Sequence, residues 1–487
     1  MASGVTSSRT PKSSLGVRFY YAITLISIGC GLIAAAPCGA SAETIEFALA
    51  RAYENNPQLN AQRAVVREAD ENVAQALSGY RPSISANASI GKERSLLQET
   101  IPPLPGTPLT QSVTATVRGP TTPRSVGATA SQTLFNGEIT ANRVRAAESS
   151  VTAARETLRL MEQTVLLAAA TAYMDVLRDT ANLEVQRSNY NVLQRMFKDT
   201  SVRFEVGAIT DTDVSQAEAQ LAGGEASAAA AETTLMTTRA NYRRIIGVDP
   251  TGLTPASAVE SLSPPTLSAA IAVAGTQNPS VTAAMYGVDV AELQVKIAEG
   301  ALWPDLTAQA SVERSWDLNV VTPKLFNQSA TLNLSVPLYQ GGAEYSAIRK
   351  SKEAVGQQRL TVDQVRDQVQ AEVVRDWAQM RSARVQINAA GRQGVAAEKA
   401  LSGVHKEALL GQRTTLDVLN AQQALVNARI SLINAQHDGV VASYNLLSAV
   451  GRLSAQTLGL PVTRYDPSVH YHQVRDSWFG LRTPSGD

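Results

Sequence analysis

Two short stretches of the chain carry a threonine and an aspartate at the same spacing. They read GAITDTDVSQAEAQL (residues 207–221) and GQRTTLDVLNAQQAL (residues 411–425). Thr210 precedes Asp213, and Thr414 precedes Asp417, by three positions. This spacing predicts a capping box, in which both side chains bond the first turn of a helix. The aspartates would then stand at the starts of two helices.

Other residue types that perform chemistry are sparse. The four histidines are scattered along the chain, and only His470 and His472 lie close together. The sequence has no glycine loop followed by lysine, which is typical of phosphate binding, and no nucleophile elbow. Its 43 basic and 43 acidic residues give a formal net charge of zero, without a basic run. We therefore predict no enzymatic activity, no metal or cofactor, and no nucleic-acid partner.

The first 42 residues have the pattern of an export signal. Three basic residues precede an apolar run from Phe19 to Ala36, and Ala40-Ser41-Ala42 follows as a cleavage site. This pattern predicts a secretory signal peptide over residues 1–42. An uncleaved membrane anchor is the alternative, because the apolar run is long for a signal. Both cysteines of the chain fall in this segment, so the mature protein is expected to have no disulfide.

The remainder of the chain is internally repeated. Asn56-Pro57 matches Asn278-Pro279 at an offset of 222, while LFNG at 134–137 matches LYQG at 338–341 at an offset of 204. A single gap of 18 residues reconciles the two offsets over nearly the whole length of both halves. We predict a tandem duplication with repeats at residues 43–264 and 265–454, followed by a C-terminal tail at 455–487.

Alternating polar and apolar residues predict β-strands on both sides of that gap. SISANASI at 83–90 alternates, and so does DLTAQASV at 305–312. Period-two alternation favours strands with one apolar and one polar face. We expect one β-hairpin in each repeat, at about 82–134 and about 304–338, and therefore four strands per chain. The proline-rich connection in the first hairpin is expected to be a long loop.

Most of the rest favours helix. Between Leu134 and about Phe204 there is no proline and one glycine, and apolar residues recur every three and four positions as a heptad seam. Some 70 residues at 1.5 Å each give a helix of roughly 105 Å. The same pattern recurs from Leu338 to about Glu407, which places helical hairpins at about 135–247 and 339–451. The tail is polar and is expected to be poorly ordered.

Four strands cannot close a barrel, and an open sheet edge cannot face lipid. Three chains sharing their strands would form a 12-stranded barrel with apolar residues toward the membrane. The predicted fold class is therefore mainly α with a small β part. It consists of two tandem repeats of strand, strand, long helix and short helix. Their trimer would form a transmembrane β-barrel continued by a long periplasmic α-helical barrel.

This arrangement resembles the TolC family of outer-membrane efflux and type I secretion channels. The resemblance covers about Glu43 to Leu460 and includes the segments RFEVGAITDTDV (203–214) and LLGQRTTLDVLNA (409–421). It implies a homotrimer in the outer-membrane lipid of a Gram-negative bacterium, extending into the periplasm. It also implies an inner-membrane transporter of the RND or ABC type and a periplasmic adaptor as partners. The channel would export drugs, other small molecules, proteins or several of these.

The resemblance also assigns roles to the two helix-hairpin tips, which form the closed periplasmic entrance in that family. Asp213, Arg413 and Asp417 would hold the tips together or ring the aperture, with an Arg413–Asp213 ion pair between neighbouring hairpins. Asn420 stands where a second aspartate is expected, and Ala408 where a tyrosine often occurs. We therefore expect weaker cation block and easier opening than the best-known pattern gives.

The exposed turns at the tips are the expected contact for the adaptor. The residues involved are Val206, Gly207, Thr210, Leu410, Gly411 and Thr414. Simple turn packing is the alternative role for them. For the whole protein, the alternative is a periplasmic coiled-coil adaptor or scaffold of an export system. Duplicated β-hairpins argue against it, because adaptors usually carry one helical hairpin with lipoyl-like or barrel domains.

Overall fold

The computed structural model describes residues 43–102, 106 and 111–484, so the predicted signal peptide and both cysteines lie outside the described residues. Within this part, nine α-helices and six β-strands form. The helices are α1 (Ile45–Asn55), α2 (Pro57–Leu77), α3 (Ile139–Glu205), α4 (Asp211–Ile246), α5 (Leu267–Gln277), α6 (Pro279–Gly300), α7 (Ala343–Leu409), α8 (Thr415–Ala449) and α9 (Pro467–Val474). The strands are β1 (Ser83–Ile90), β2 (Glu93–Ile101), β3 (Val113–Thr121), β4 (Arg124–Asn136), β5 (Asp305–Trp316) and β6 (Lys324–Ser335). Among the described helices, none combines the length and apolar character that a membrane span requires.

Asparagine followed by proline separates the two short helices at the start of each half. Asn56 caps α2, because its side-chain oxygen accepts a hydrogen bond from the Gln58 backbone 2.9 Å away. Its amide nitrogen donates to the carbonyl of Ile245 at the end of α4, at 3.0 Å. Asn278 caps α6 and donates to the carbonyl of Ala449 at the end of α8, at 2.9 Å. Each asparagine therefore caps the start of one helix and also bonds the last turn of another.

The long helices α3 and α7 contain 67 residues each, which corresponds to about 100 Å. They pack along α4 and α8 respectively, so each half contains a helical hairpin. Buried residues recur every seven positions along α7 at Ile348, Val355, Val362, Val369, Asp376, Ala383 and Ala390. The seam predicted for α3 is also confirmed, since Val144, Val151, Leu158, Val165 and Ala172 are buried.

The main sheet has four antiparallel strands in the order β1-β4-β5-β6. Residues facing each other across the strands form rows of alternating character. One row is Ile84, Ala130, Ala310 and Ala330, and the next is Ser85, Thr129, Ser311 and Ser329. The apolar face is uncovered in the single chain, where Ile84 is 77% and Leu332 69% exposed. The sheet thus has the predicted apolar and polar faces, and β1 and β6 are its open edges.

The prediction of four strands was wrong, because the connection between β1 and β4 is not a loop throughout. β2 and β3 pair antiparallel in a separate two-stranded sheet, with Leu97 opposite Val117 and Thr100 opposite Thr114. The run VTATV at 113–117 is rich in β-branched residues, which favour strands. Proline does not prevent this pairing, since Pro120 lies near the end of β3 in a strand with a free edge.

The apolar core lies where the short helices pack against the ends of the hairpins that are distant from the tips. One cluster includes Leu49, Leu166, Tyr173, Tyr242 and Leu447, all of which are essentially inaccessible to solvent. The Tyr242 hydroxyl donates to the carboxylate of Glu43 at 2.8 Å, which satisfies an acid that is itself buried. A second cluster joins α5, α7 and α8.

The tail is ordered where it is described, which corrects the expectation of disorder. Helix α9 packs against α2, and the His470 ring nitrogen Nδ1 lies 3.0 Å from Asp70 Oδ2. The Asp70 side chain is fully buried, and burial raises its pKa although the His470 hydrogen bond opposes the shift. The backbone nitrogen of Tyr465 also donates to the Tyr53 hydroxyl at 3.1 Å. The polar composition of the tail concealed these contacts, because they use single polar side chains and not an apolar run.

We expect His470→Ala to detach the tail from α2, because it removes the hydrogen bond to a buried carboxylate. The cost should be roughly 2 kcal/mol. Limited proteolysis should then cleave within residues 461–480 at lower protease concentrations than in the wild type. His472→Ala is the matched control, since His472 is exposed on the same short helix. Equal protease resistance in wild type and His470→Ala would contradict this role.

Candidate functional site at the helix-hairpin tips

The first tip connects α3 to α4 through a tight turn. Gly207 has φ of +76°, a conformation that residues with a Cβ adopt at a cost, although a Cβ there would meet no neighbour. Its backbone nitrogen donates to Phe204 at 2.8 Å, and this bond closes the end of α3. The Asp213 nitrogen donates to Thr210 Oγ1 at 3.3 Å, and the Thr210 nitrogen donates to Asp213 Oδ2 at 3.1 Å. The predicted capping box is therefore confirmed.

The second tip repeats this geometry between α7 and α8. Gly411 again has φ of +76° and bonds back to the Ala408 carbonyl. The Asp417 nitrogen donates to Thr414 Oγ1 at 3.2 Å, and the Thr414 nitrogen donates to Asp417 Oδ2 at 2.9 Å. These hydrogen bonds, from the backbone and then the hydroxyl of Thr414, lower the pKa of Asp417. The Asp417 carboxylate thus stays ionised in weak acid while it remains at the surface of the tip.

Arg413 has a partner that the sequence did not indicate. Its Nε donates to Glu407 Oε2 at 3.0 Å across the turn, and both side chains are about half exposed. The predicted partner Asp213 accepts its hydrogen bonds from Thr210 within its own tip. Glu407 lies in the last turn of α7, and only the reversal of the chain at Gly411 brings it beside Arg413. An Arg413–Asp213 pair between chains stays a prediction.

Asn420 is exposed on α8, three positions after Asp417 and so on the same face of the helix. Ala408 is partly buried in the last turn of α7. The turns between them carry uncovered apolar side chains, because Val206 and Leu410 are each 75% exposed. The tips therefore combine a negative charge with an apolar residue beside each glycine. Exposed apolar groups of this kind are typical of protein contact surfaces.

The two hairpins of one chain are joined above the tips by buried polar contacts that sequence reasoning missed. Gln422 on α8 donates its side-chain amide to Asn189 Oδ1 on α3 at 2.9 Å, and both residues are buried. No motif marks this pair, since its members lie more than 200 residues apart. Buried amides need such partners, so the contact fixes how the hairpins pack on each other.

A second junction between α3 and α8 contains charged groups. His437 Nε2 lies 2.9 Å from Asp175 Oδ1, and Nδ1 lies 2.8 Å from Asp438 Oδ1. Arg178 bonds Asp175 at 2.9 Å and Asp179 at 2.7 Å. Burial lowers the pKa of His437, but the hydrogen bonds from the ring to Asp175 and Asp438 outweigh this, so the pKa is raised. The protonated form of His437 is therefore more favoured at this junction than it is for a histidine in water.

This raised pKa predicts a pH-dependent stability. A group whose pKa is higher in the folded state stabilises it fully below the ordinary histidine value of about 6.5. That contribution is lost as the pH rises through the higher folded value. The midpoint of thermal unfolding should therefore fall by about 2 °C or more between pH 6 and pH 9. His437→Gln should remove this histidine-dependent part, whereas His405→Gln, at an exposed position on α7, should keep it. The same pH response in both variants would exclude His437 as its source.

The described chain thus combines two helical hairpins, whose tips are capped by aspartates, with a four-stranded sheet whose apolar face is uncovered. The chain matches the family model described as Outer membrane efflux protein over residues 48–248 and 270–452. It is 42% identical to the outer membrane efflux protein BepC of Brucella suis biovar 1 (strain 1330), over 92% of this chain and 94% of BepC.

The outer membrane protein TolC of Vibrio cholerae serotype O1 is 30% identical over 61% of this chain and 69% of TolC. The crystal structure of the Campylobacter jejuni CmeC outer membrane channel has the same fold, with a TM-score of 0.73 and 14% sequence identity over 89% of both chains. This chain belongs to the outer membrane efflux protein family. It is an outer-membrane export channel of the TolC type, and the adaptor or scaffold alternative is not favoured.

Proposed function

We propose that three copies of this chain close a 12-stranded barrel in the outer membrane. The observation that carries this proposal is the four-stranded sheet with an apolar face and two open edges, β1 and β6. Because neighbouring strands are antiparallel throughout, β1 and β6 run in opposite directions. The β6 strand of one chain can therefore pair antiparallel with β1 of the next. Three sheets give an even number of strands, so the alternation closes without an edge.

The helical hairpins would continue this barrel as a periplasmic conduit. The length of about 100 Å supports this, since α3 and α7 each have 67 residues. The order of helix pair, strands and helical hairpin occurs once before and once after residue 265, which supports a tandem duplication. Three chains would contribute six hairpins with their tips together. A polar lumen would follow from the serine, threonine and glutamine side chains on the face of the sheet opposite the apolar rows.

The tips would form the closed entrance. Asp417 from three chains would ring the mouth and favour cations. When the entrance closes, Arg413 would leave Glu407 and pair with Asp213 of a neighbouring hairpin. Arg413 and Glu407 are about half exposed, so this change of partner needs no buried contact to break. Asn420 has no charge where an aspartate is expected, and the Ala408 side chain forms no hydrogen bond where a tyrosine would. Both differences favour easier opening of the entrance. The channel would have no catalytic activity of its own, and the energy for transport would come from its partner.

The adaptor would contact the turns at Val206-Gly207 and Leu410-Gly411, with Thr210 and Thr414 beside them. Their exposed apolar side chains support this assignment. The adaptor would connect the channel to an inner-membrane transporter of the RND or ABC type. Its cargo would be drugs, other small molecules, proteins or several of these, and the signal peptide over residues 1–42 would be cleaved during export.

Membrane fractionation followed by electrophoresis with and without heating tests the proposal. We expect a heat-modifiable trimer in the outer-membrane fraction and current steps when the purified trimer enters planar bilayers. A soluble periplasmic monomer without conductance would contradict it. A deletion strain compared with wild type for drug sensitivity and for its secreted proteins then identifies the class of cargo.

A further inference from the structure

The apolar face of the main sheet changes character at the end farthest from the helices. On this face, the rows from Leu306 to Val312 of β5 contain no charged residue on any of the four strands. The last two rows contain three cations and two aromatic residues. These five residues, here called the rim patch, are Arg124, Arg314, Trp316, Lys324 and Phe326. Charge and aromatic side chains are thus confined to one end of an otherwise uncharged face.

The rim patch has an excess of exposed positive charge. Arg124 pairs with Asp317 at 2.7 Å, and the side chains are about half exposed. The Arg314 guanidinium lies 5.3 Å from the centre of the Trp316 ring, and Lys324 is exposed without a carboxylate partner in the described part of the chain. The neighbouring acid Glu313 belongs to the opposite face, where it accepts a hydrogen bond from Ser315. Two of the three cations are therefore free to bind an anion.

The position of the patch along the strand agrees with a membrane boundary. Trp316 lies ten positions after Leu306. This spacing corresponds to about 33 Å along a strand and to about 25 Å across the membrane when the strand is tilted by about 40°. The apolar band of outer-membrane barrels is about 25 Å tall. Arg314 and Trp316 then lie where hydrocarbon ends and headgroups begin. Phe326, at 61% exposure, lies beside them on the membrane side.

We propose that the rim patch binds the phosphorylated headgroup of a lipid in the outer leaflet, and this inference rests on the barrel proposed above. Arg314 and Lys324 would bond the phosphate oxygens, with Arg124 adding charge beside them. The acyl chains would lie over the alanine and leucine rows, and Trp316 and Phe326 would pack against the upper part of those chains. The patch is continuous with the apolar rows, and this favours a lipid as the occupant. A free anion would make no apolar contacts with those rows, whereas acyl chains would cover them.

Binding of a defined glycolipid to the purified trimer tests the proposal. The probe is a phosphorylated lipid A, compared with the same glycolipid after removal of its phosphates, and binding is measured by native mass spectrometry in detergent. We expect the wild type to prefer the phosphorylated form. The double variant R314Q/K324Q should bind that form about 25-fold more weakly, because each of the two cations near an anionic headgroup contributes about five-fold. The charge-matched control K198Q/K399Q, on exposed positions of α3 and α7, should bind it like the wild type.

Several outcomes would overturn the proposal. They are equal binding of the two glycolipids by the wild type, equal binding by wild type and R314Q/K324Q, and an equal loss in the control variant. Displacement of the glycolipid by tens of millimolar inorganic phosphate would show that the patch holds a free anion instead. The comparison of the two glycolipids uses the wild type alone, so it remains valid even if a variant fails to fold. If the wild type is not a trimer in the outer membrane, the proposed function fails; if it is a trimer without phosphate preference, only the present inference fails.

Discussion

Cation block of the open channel in planar bilayers should weaken about ten-fold when Asp417 is replaced by alanine. Three copies of Asp417 would otherwise place three carboxylates around one narrow mouth, where they bind a multivalent cation together. The hydrogen bonds from Thr414 lower the pKa of Asp417, so the wild-type block should persist in weak acid and decline only as the carboxylates gain protons. The measurement is the concentration of a multivalent cation that halves the current.

Asp417 also accepts the hydrogen bonds of the capping box, so the alanine variant loses up to about 1 kcal/mol of helix stability. Asp417→Asn separates the two effects, because asparagine keeps an acceptor oxygen but has no charge. It should lose the block as Asp417→Ala does. Asp211→Asn removes an exposed carboxylate at the other tip without touching either capping box, and it should retain the block. Unchanged block in both Asp417 variants would show that this residue does not ring the aperture.

Gly137→Ala should strongly reduce the amount of assembled trimer, whereas Gly341→Ala at the equivalent position of the second half should not. Gly137 has φ of +62°, and a Cβ there would lie 2.5 Å from the Gly300 carbonyl oxygen and 2.6 Å from Trp303 Cβ. The junction of β4 and α3 would have to move away from the end of α6. Displacing packed backbone costs more than about 4 kcal/mol, which is a large part of the stability of a domain.

Gly341 provides the control for backbone conformation alone. Its φ of +70° is similar, but a Cβ there would meet nothing within 4 Å. Alanine at this position should therefore cost only about 1 kcal/mol. Gly300→Ala tests the same contact from the other side, because its Cβ would lie 2.5 Å from Ile139 Cγ1. Heat-modifiable trimer in outer membranes is the measurement, and equal amounts for Gly137→Ala and Gly341→Ala would contradict the crowding argument.

The sequence contained most of the information needed for the regular elements. Alternation placed β1 and β5 within a few residues of their observed bounds, and heptad spacing identified both long helices. These features are readable because a buried stripe or face requires apolar residues at a fixed period. The β2–β3 hairpin was missed because six prolines in this connection were taken as loop signals, although β-branched residues on both strands favour pairing.

The candidate site divides in the same way. Thr210 with Asp213 and Thr414 with Asp417 could be paired from their spacing, because a capping box is formed within one turn of helix. Glu407 with Arg413 and Asn189 with Gln422 could not. Their pairing depends on the reversal of the chain at a turn or on how two distant hairpins pack. Isolated polar residues form no periodic sequence pattern, so their partners cannot be predicted from the sequence.

The pairing of β4 with β5 determines the order in which the molecule can mature after export. β4 ends at Asn136 and β5 begins at Asp305, so α3, α4, α5 and α6 must all leave the translocation machinery before β4 finds this partner. Contacts between such distant segments form slowly, while the hairpins need only their neighbours in sequence. Until β5 arrives, one edge of β4 therefore lacks its partner, although β1 can already pair with the other edge. Such an edge associates readily with other chains until β5 covers it.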